Sequence, residues 1–168
     1  MAASILIVDD EEHVRSALRR SLRSEGYELI EAASGKEGLV VLKSRPVDVI
    51  ISDHSMPEMT GIEFLKNARI LRPDAVRIVL TGQADLAMAI KAINEDAVYR
   101  FLLKPWDGFD IKVLIKYALK HGAMVKENAR LADLVRKHEQ TIARLTRKSG
   151  GAAREDAGAW VIDEDEVR

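Results

Sequence analysis

Ile5-Leu6-Ile7-Val8-Asp9-Asp10-Glu11 sets four apolar residues directly before three acidic ones, close to the start of the chain. A run this short and this continuously apolar reads as a β-strand covered on both faces, and the carboxylates mark its carboxyl end. Three more runs have the same character: Val47 to Ile51, Val76 to Leu80 and Phe101 to Leu103. Tyr27 to Ala32 alternates more and suits a sheet edge. Amphipathic segments fall between the runs, so the pattern from residue 4 to about residue 120 predicts five β/α units with a parallel sheet between helices.

The intervening helices carry their own punctuation. Val14, Ala17, Leu18 and Leu22 recur at helical spacing, and Gly26 is placed as a C-terminal stop. Ser34 and Glu37 fit a capping box ahead of Leu39 and Leu42, with Pro46 closing that segment. Ile62, Leu65, Ala68 and Leu71 mark a third helix before Pro73, and Leu86, Ala89, Ile90 and Ile93 a fourth.

From Asp110 the helical signal runs to about Lys148, interrupted by Gly122 alone, which gives one helix of ~57 Å at 1.5 Å per residue. In heptads, Leu114, His121, Asn128, Val135 and Ile142 take the a positions, and Tyr117, Met124, Leu131, His138 and Leu145 the d positions. An Asn at one a position specifies register and oligomer state, so Asn128 suits a parallel two-stranded coil; a long surface helix packed on its own domain is the alternative. Three segments are expected: a domain over 1–121, a helical extension over 122–148, and an acidic, flexible tail over 149–168 that begins with a joint at Ser149, Gly150 and Gly151. Residues 116–148 hold nine Lys/Arg against three Asp/Glu, whereas residues 149–168 hold two against six. Trp160 to Ile162 form an apolar island in that tail before Asp163 to Glu166.

Composition bounds the function. The 168 residues carry 26 Lys+Arg against 27 Asp+Glu, so no global field draws the chain to nucleic acid or anionic lipid. The absence of Cys excludes CxxC redox chemistry and thiolate zinc sites. No apolar run approaches the ~20 residues of a membrane span, and no positive charge precedes Ile5 to Val8 as a signal peptide would require. A cytoplasmic location is expected.

The informative polar residues gather at the ends of the predicted strands: Asp9 and Asp10 after the first, Asp53 after the third, Thr81 after the fourth and Lys104 after the fifth. In open α/β sheets ligands bind outside those carboxyl ends. Three carboxylates brought close repel one another unless a cation neutralises them, and oxygen-only ligation suits Mg²⁺. Lys104 adds a positive charge and Thr81 a hydroxyl for phosphoryl oxygens, so the implied chemistry is phosphoryl transfer to or from a carboxylate.

Over about residues 3–121 the sequence resembles the receiver domain of two-component response regulators. The resemblance rests on Ile7, Val8, Asp9, Asp10 and Glu11, on Asp53 with Met56, Pro57 and Gly61, on Leu80, Thr81 and Gly82, and on Lys104 with Pro105. It implies a flavodoxin-like (βα)5 doubly wound parallel sheet of strand order 2-1-3-4-5. It also implies that Asp53 accepts a phosphoryl group from a sensor kinase histidine or a phosphotransfer protein. Asp10, Asp53 and the backbone carbonyl of Ser55 would then bind Mg²⁺ directly, Asp9 through water, while Thr81 and Lys104 hold the phosphoryl oxygens. Phe101 stands at the switch-ring position, Ser55 and Gln83 at the positions that set phosphoryl lifetime, and the peptide before Pro105 is expected cis. Tyr99 and Trp106 would join a signalling face made by the fourth helix, fifth strand and fifth helix. His54 and His13 read as solvent-facing.

A haloacid-dehalogenase-type phosphatase also uses an aspartate nucleophile with Mg²⁺, Thr/Ser and Lys, but its nucleophile follows the first strand as D-x-D, and Asp9 and Asp10 are adjacent. A dinucleotide-binding module would need G-x-G-x-x-G after the first strand, and none follows. The preferred expectation is a single receiver whose fifth helix mediates homodimerisation or partner docking under control of phosphorylation. The alternative is a regulatory fragment of a larger regulator, either a cyclic-dinucleotide phosphodiesterase or a transcriptional activator; nucleic-acid binding through the basic helix face is a third reading, against which the acidic tail argues.

Overall fold

The computed structural model describes residues 1–156; the island at Trp160 to Ile162 and the acidic run Asp163 to Glu166 lie outside them. Among the described residues, five strands form one parallel sheet: β1 (Ser4–Val8), β2 (Glu28–Ala32), β3 (Val49–Asp53), β4 (Val76–Thr81) and β5 (Arg100–Leu103). Their spatial order is β2-β1-β3-β4-β5, the doubly wound flavodoxin-like arrangement. Helices α1 (Glu12–Leu22), α2 (Gly35–Ser44), α3 (Gly61–Leu71), α4 (Leu86–Asn94) and α5 (Gly108–Asp156) connect or follow the strands.

Side chains of a strand point alternately to opposite faces, and β1 shows how that builds two cores. Leu6 and Val8 join Ile50, Val79, Leu42, Phe64 and Leu65 on one side of the sheet. Ile5 and Ile7 join Ile51, Ile78, Leu18, Leu22, Ile111 and Ile115 on the other. The interior strands β1, β3 and β4 are buried along their whole length. Strand β5 was expected to be covered on both faces, yet Phe101, Leu102 and Leu103 are only half-buried, because β5 pairs with β4 alone and ends the sheet.

Local chemistry explains the boundaries. Gly26 adopts φ +76° after α1 and a short 3-10 turn, a conformation available to glycine at little cost. Ser34 accepts from the Glu37 amide, while the Glu37 carboxylate reaches back to the amide of Ala33. The reciprocal capping box sits instead at α3, between Thr60 and Glu63.

Two compact units result, Met1–Lys126 and Glu127 onward. The first unit reaches past the limit expected at residue 121: Gly122 lies against Val76, and Lys126 donates to Asp48 Oδ1 at 2.9 Å. The joint expected at Ser149, Gly150 and Gly151 is not a break, since α5 keeps helical backbone through Asp156. A glycine costs about 1 kcal/mol inside a helix, and extending a formed helix is far easier than nucleating one.

Candidate functional site

Parallel pairing brings the strand ends together. Register pairs Val8 with Ser52 and Asp53 with Leu80, so the residues after β1, at the end of β3 and at the end of β4 stand side by side. The strand order reverses between β1 and β3, which is where Asp9, Asp10 and Asp53 collect: one carboxylate oxygen from each lies within 4.8 Å of the others.

Asp53 is 3% exposed, and its Oδ1 is paired with the ammonium of Lys104. The Lys104 amide donates to the Thr81 carbonyl at 2.9 Å, which seats the lysine beside β4, and the Lys104–Pro105 peptide is cis. Thr81 is buried, and its hydroxyl donates to the Gly82 carbonyl at 3.2 Å. Asp9 is fully buried; its Oδ1 accepts from the Glu11 amide at 2.9 Å, and its Oδ2 has no partner among the described residues. Burial pushes the Asp9 carboxyl up to about 6 despite that amide, and the neighbouring Asp53 and Asp10 carboxylates add to the rise. A buried carboxylate oxygen without a donor, beside two further carboxylates, fits a hard divalent cation that would supply the missing positive charge.

The turn into α3 is held tightly against this site. The His54 amide donates to Leu80 O at 3.0 Å and the Gly61 amide to His54 O at 2.9 Å. A Cβ at Gly61 would fall 1.9 Å from the Asp53 carbonyl oxygen, so only glycine permits this approach. Ser55 is exposed, and so is Gln83.

Two features escaped sequence reasoning. His54, expected to face solvent, is 6% exposed, and its Nδ1 has no partner among the described residues. Its peptide is clamped between β4 and Gly61, which turns the side chain inward. Asp85, not singled out at all, accepts the Ser55 hydroxyl at 3.4 Å and so joins the loops that follow β3 and β4. Neither has a local pattern signal; both depend on how two loops meet.

The remaining expected residues are not members of the acidic group. Phe101 is half-buried against the α2–α3–α4 side of the core. Tyr99 stacks on His121 at 4.4 Å between ring centroids, and Trp106 packs, partly buried, on the opposite side of the sheet from Phe101. Leu114, offered as a partner contact, is half-buried against its own sheet and so is already occupied. Tyr117, Met124, Leu131, Val135 and Ile142 are exposed, as is Asn128.

The sequence profile of the response regulator receiver domain matches residues 5–116. The chain belongs to that family. This receiver is 42% identical over 104 residues to the hydrogenase transcriptional regulatory protein HoxA of Cupriavidus necator, covering 62% of this chain and 21% of that protein. It therefore spans about a fifth of that relative's length. A structure described as an adenylate cyclase from Rhodopirellula baltica superposes with a TM-score of 0.75 at 38% identity, over 79% of this chain and 98% of that one. A response regulator receiver domain from Clostridium thermocellum gives 0.69 at 31% identity, over 73% and 98%. The receiver is the phosphorylation-dependent switch module of two-component signalling. No helix among the described residues is long and apolar enough to cross a membrane.

Proposed function

We propose that Asp53 accepts a phosphoryl group from the histidine of a sensor kinase or phosphotransfer protein. The supporting observation is the buried Asp53 carboxylate between the Lys104 ammonium and an Asp9 oxygen that lacks a donor. An Asp53 oxygen attacks phosphorus as the P–N bond to the donor imidazole breaks, and the imidazole nitrogen keeps the electron pair. Asp10, Asp53 and the Ser55 carbonyl would hold Mg²⁺ directly and Asp9 through water; when bound, the ion neutralises charge on the phosphoryl oxygens. Lys104 leaves its pairing with Asp53 to reach one phosphoryl oxygen, and the Thr81 hydroxyl turns from the Gly82 carbonyl to another. Movement of Thr81 is then coupled to the Phe101 ring and alters the surface of α4, β5 and α5. Beyond this transfer and hydrolysis of the resulting aspartyl phosphate to inorganic phosphate, no other catalysis is assigned to the chain.

The downstream event we infer is pairing of the long helix with a second copy, through Met124, Asn128, Leu131, Val135 and Ile142. A regulatory fragment of a longer regulator is the second reading, favoured by the small share of HoxA that the chain covers. Replacing Asp53 by Asn tests the acceptor directly. The variant is expected to take no label from acetyl phosphate with Mg²⁺ while the parent chain does; label on Asp53→Asn would overturn the assignment.

A further inference from the structure

Strands β3 and β4 lie side by side, and the loops that leave their carboxyl ends flank Asp53. The loop after β3, residues 54–60, carries Ser55; the loop after β4, residues 82–85, carries Gln83 and Asp85. The Ser55 hydroxyl donates to Asp85 Oδ2 at 3.4 Å, and among the described residues this is the one side-chain hydrogen bond between the two loops. Ser55 is exposed and Asp85 half-buried, so the bridge is open to solvent, whereas Asp53 is almost fully buried. Asp85 stands outside the Asp9, Asp10 and Asp53 group. Gln83, expected to act with Ser55 on phosphoryl lifetime, is exposed and makes no side-chain hydrogen bond among the described residues.

We propose that Asp85 is a positioning residue for the lifetime of the phosphorylated state, holding the Ser55 side chain across the mouth of the site and slowing the approach of water. The inference rests on Asp53 being the phosphoryl acceptor. In hydrolysis a water oxygen attacks phosphorus in line with the P–O bond to Asp53. That bond breaks with its electron pair left on the Asp53 carboxylate, inorganic phosphate departs, and the surplus proton of the water passes to phosphate or solvent. The attacking water therefore arrives on the side away from Asp53, and on this proposal the two bridged loops stand in its approach. Asp85 is the one side-chain partner of the Ser55 hydroxyl among the described residues, so the Ser55 rotamer depends on that acceptor.

The test follows loss of label from the full chain after loading with radiolabelled acetyl phosphate and Mg²⁺ and then removing the donor. Asp85→Ala and Ser55→Ala are each expected to hasten the first-order loss about three- to tenfold, the scale of one hydrogen bond. The double variant is expected to lose label no faster than either single one, because both changes remove the same bridge. Asp85→Asn keeps an oxygen that can accept from Ser55 and is expected to stay close to the parent chain. An Asp85→Ala rate equal to or slower than the parent's would overturn the inference, as would effects that multiply in the double variant. An Asp85→Asn rate matching that of Asp85→Ala would overturn it too, since charge alone would then be acting. A parent chain that takes no label overturns the acceptor reading and this inference with it, so the two failures are told apart before any variant is compared.

Discussion

Gly61 meets the backbone of Asp53 so closely that a methyl group there would sit 1.9 Å from a carbonyl oxygen and 2.8 Å from the Cα of His54. Neither neighbour is a side-chain end that can swing away. Gly61→Ala is expected to cost about 1–3 kcal/mol in urea unfolding, the range for overpacking, and to displace Asp53 enough to reduce its labelling. Asp48, at the opposite end of the sheet, makes a pH prediction. Burial pushes its carboxyl up, but the Ser4 amide at 2.9 Å and the Lys126 ammonium outweigh burial and hold it below its ordinary value of 3.8. A carboxyl depressed in the folded state stabilises the fold above its unfolded pKa, and that contribution fades as pH falls through the lower, folded value. The parent chain is expected to exceed Asp48→Asn in stability at neutral pH, with the difference shrinking once pH drops below 3.8; a gap that widens in acid would reverse the assignment. Residue identity exposed Asp53, Thr81 and Lys104 in the sequence because each follows an apolar run. The burial of His54 and the reach of Asp85 were not legible, since neither is set by neighbours in the chain.

At the scale of elements, apolar runs disclose strands but not their neighbours, which is why β5 looked like an interior strand until the order placed it at an edge. Arg77 shows the same limit. It interrupts the apolar run of β4, yet it is only 8% exposed, and its guanidinium donates to three backbone carbonyls: Ala97 at 2.8 Å, Ala75 at 2.9 Å and Asp96 at 3.3 Å. Two of these lie in the turn between α4 and β5, where Asp96 holds φ +58°. The arginine thus ties the turn that precedes β5 to the strand that ends in Thr81. Arg77→Leu strands those carbonyls without donors and is expected to lower stability by about 1–3 kcal/mol per group left unsatisfied, read from urea midpoints. Arg77→Lys is expected to recover only part of the loss, because an ammonium cannot serve three diverging acceptors with the geometry of a planar fork. Equal stability of all three chains would show that water replaces the guanidinium there.

The whole molecule poses a question that no single element answers: what stabilises a helix with little of its own to bury? From Glu127 onward α5 is a unit by itself, with Leu131, Val135, Ile142 and Leu145 exposed along it. Its internal support consists of pairs such as Arg130 with Glu127 and Lys137 with Asp133, and such contacts are worth about 0.2–0.5 kcal/mol each. Burying a leucine or isoleucine stabilises by about 1.5–3 kcal/mol, so covering the stripe outweighs all the surface pairs together. On the proposed pairing, a second copy in register would supply that cover and place Asn128 opposite Asn128, where the polar pair would select two strands at some cost in stability. Light scattering with Mg²⁺ is accordingly expected to show a dimer once beryllofluoride mimics the phosphoryl group. A monomer before addition would make Asp53 chemistry the gate for association, and a dimer before addition would make the helix a standing scaffold and leave switching to the surface around Phe101. A chain that stays monomeric in both conditions would overturn pairing with a second copy. Asn128→Leu adds an independent check: it is expected to strengthen association while broadening it to larger oligomers, and an unchanged mass distribution would place Asn128 outside the interface.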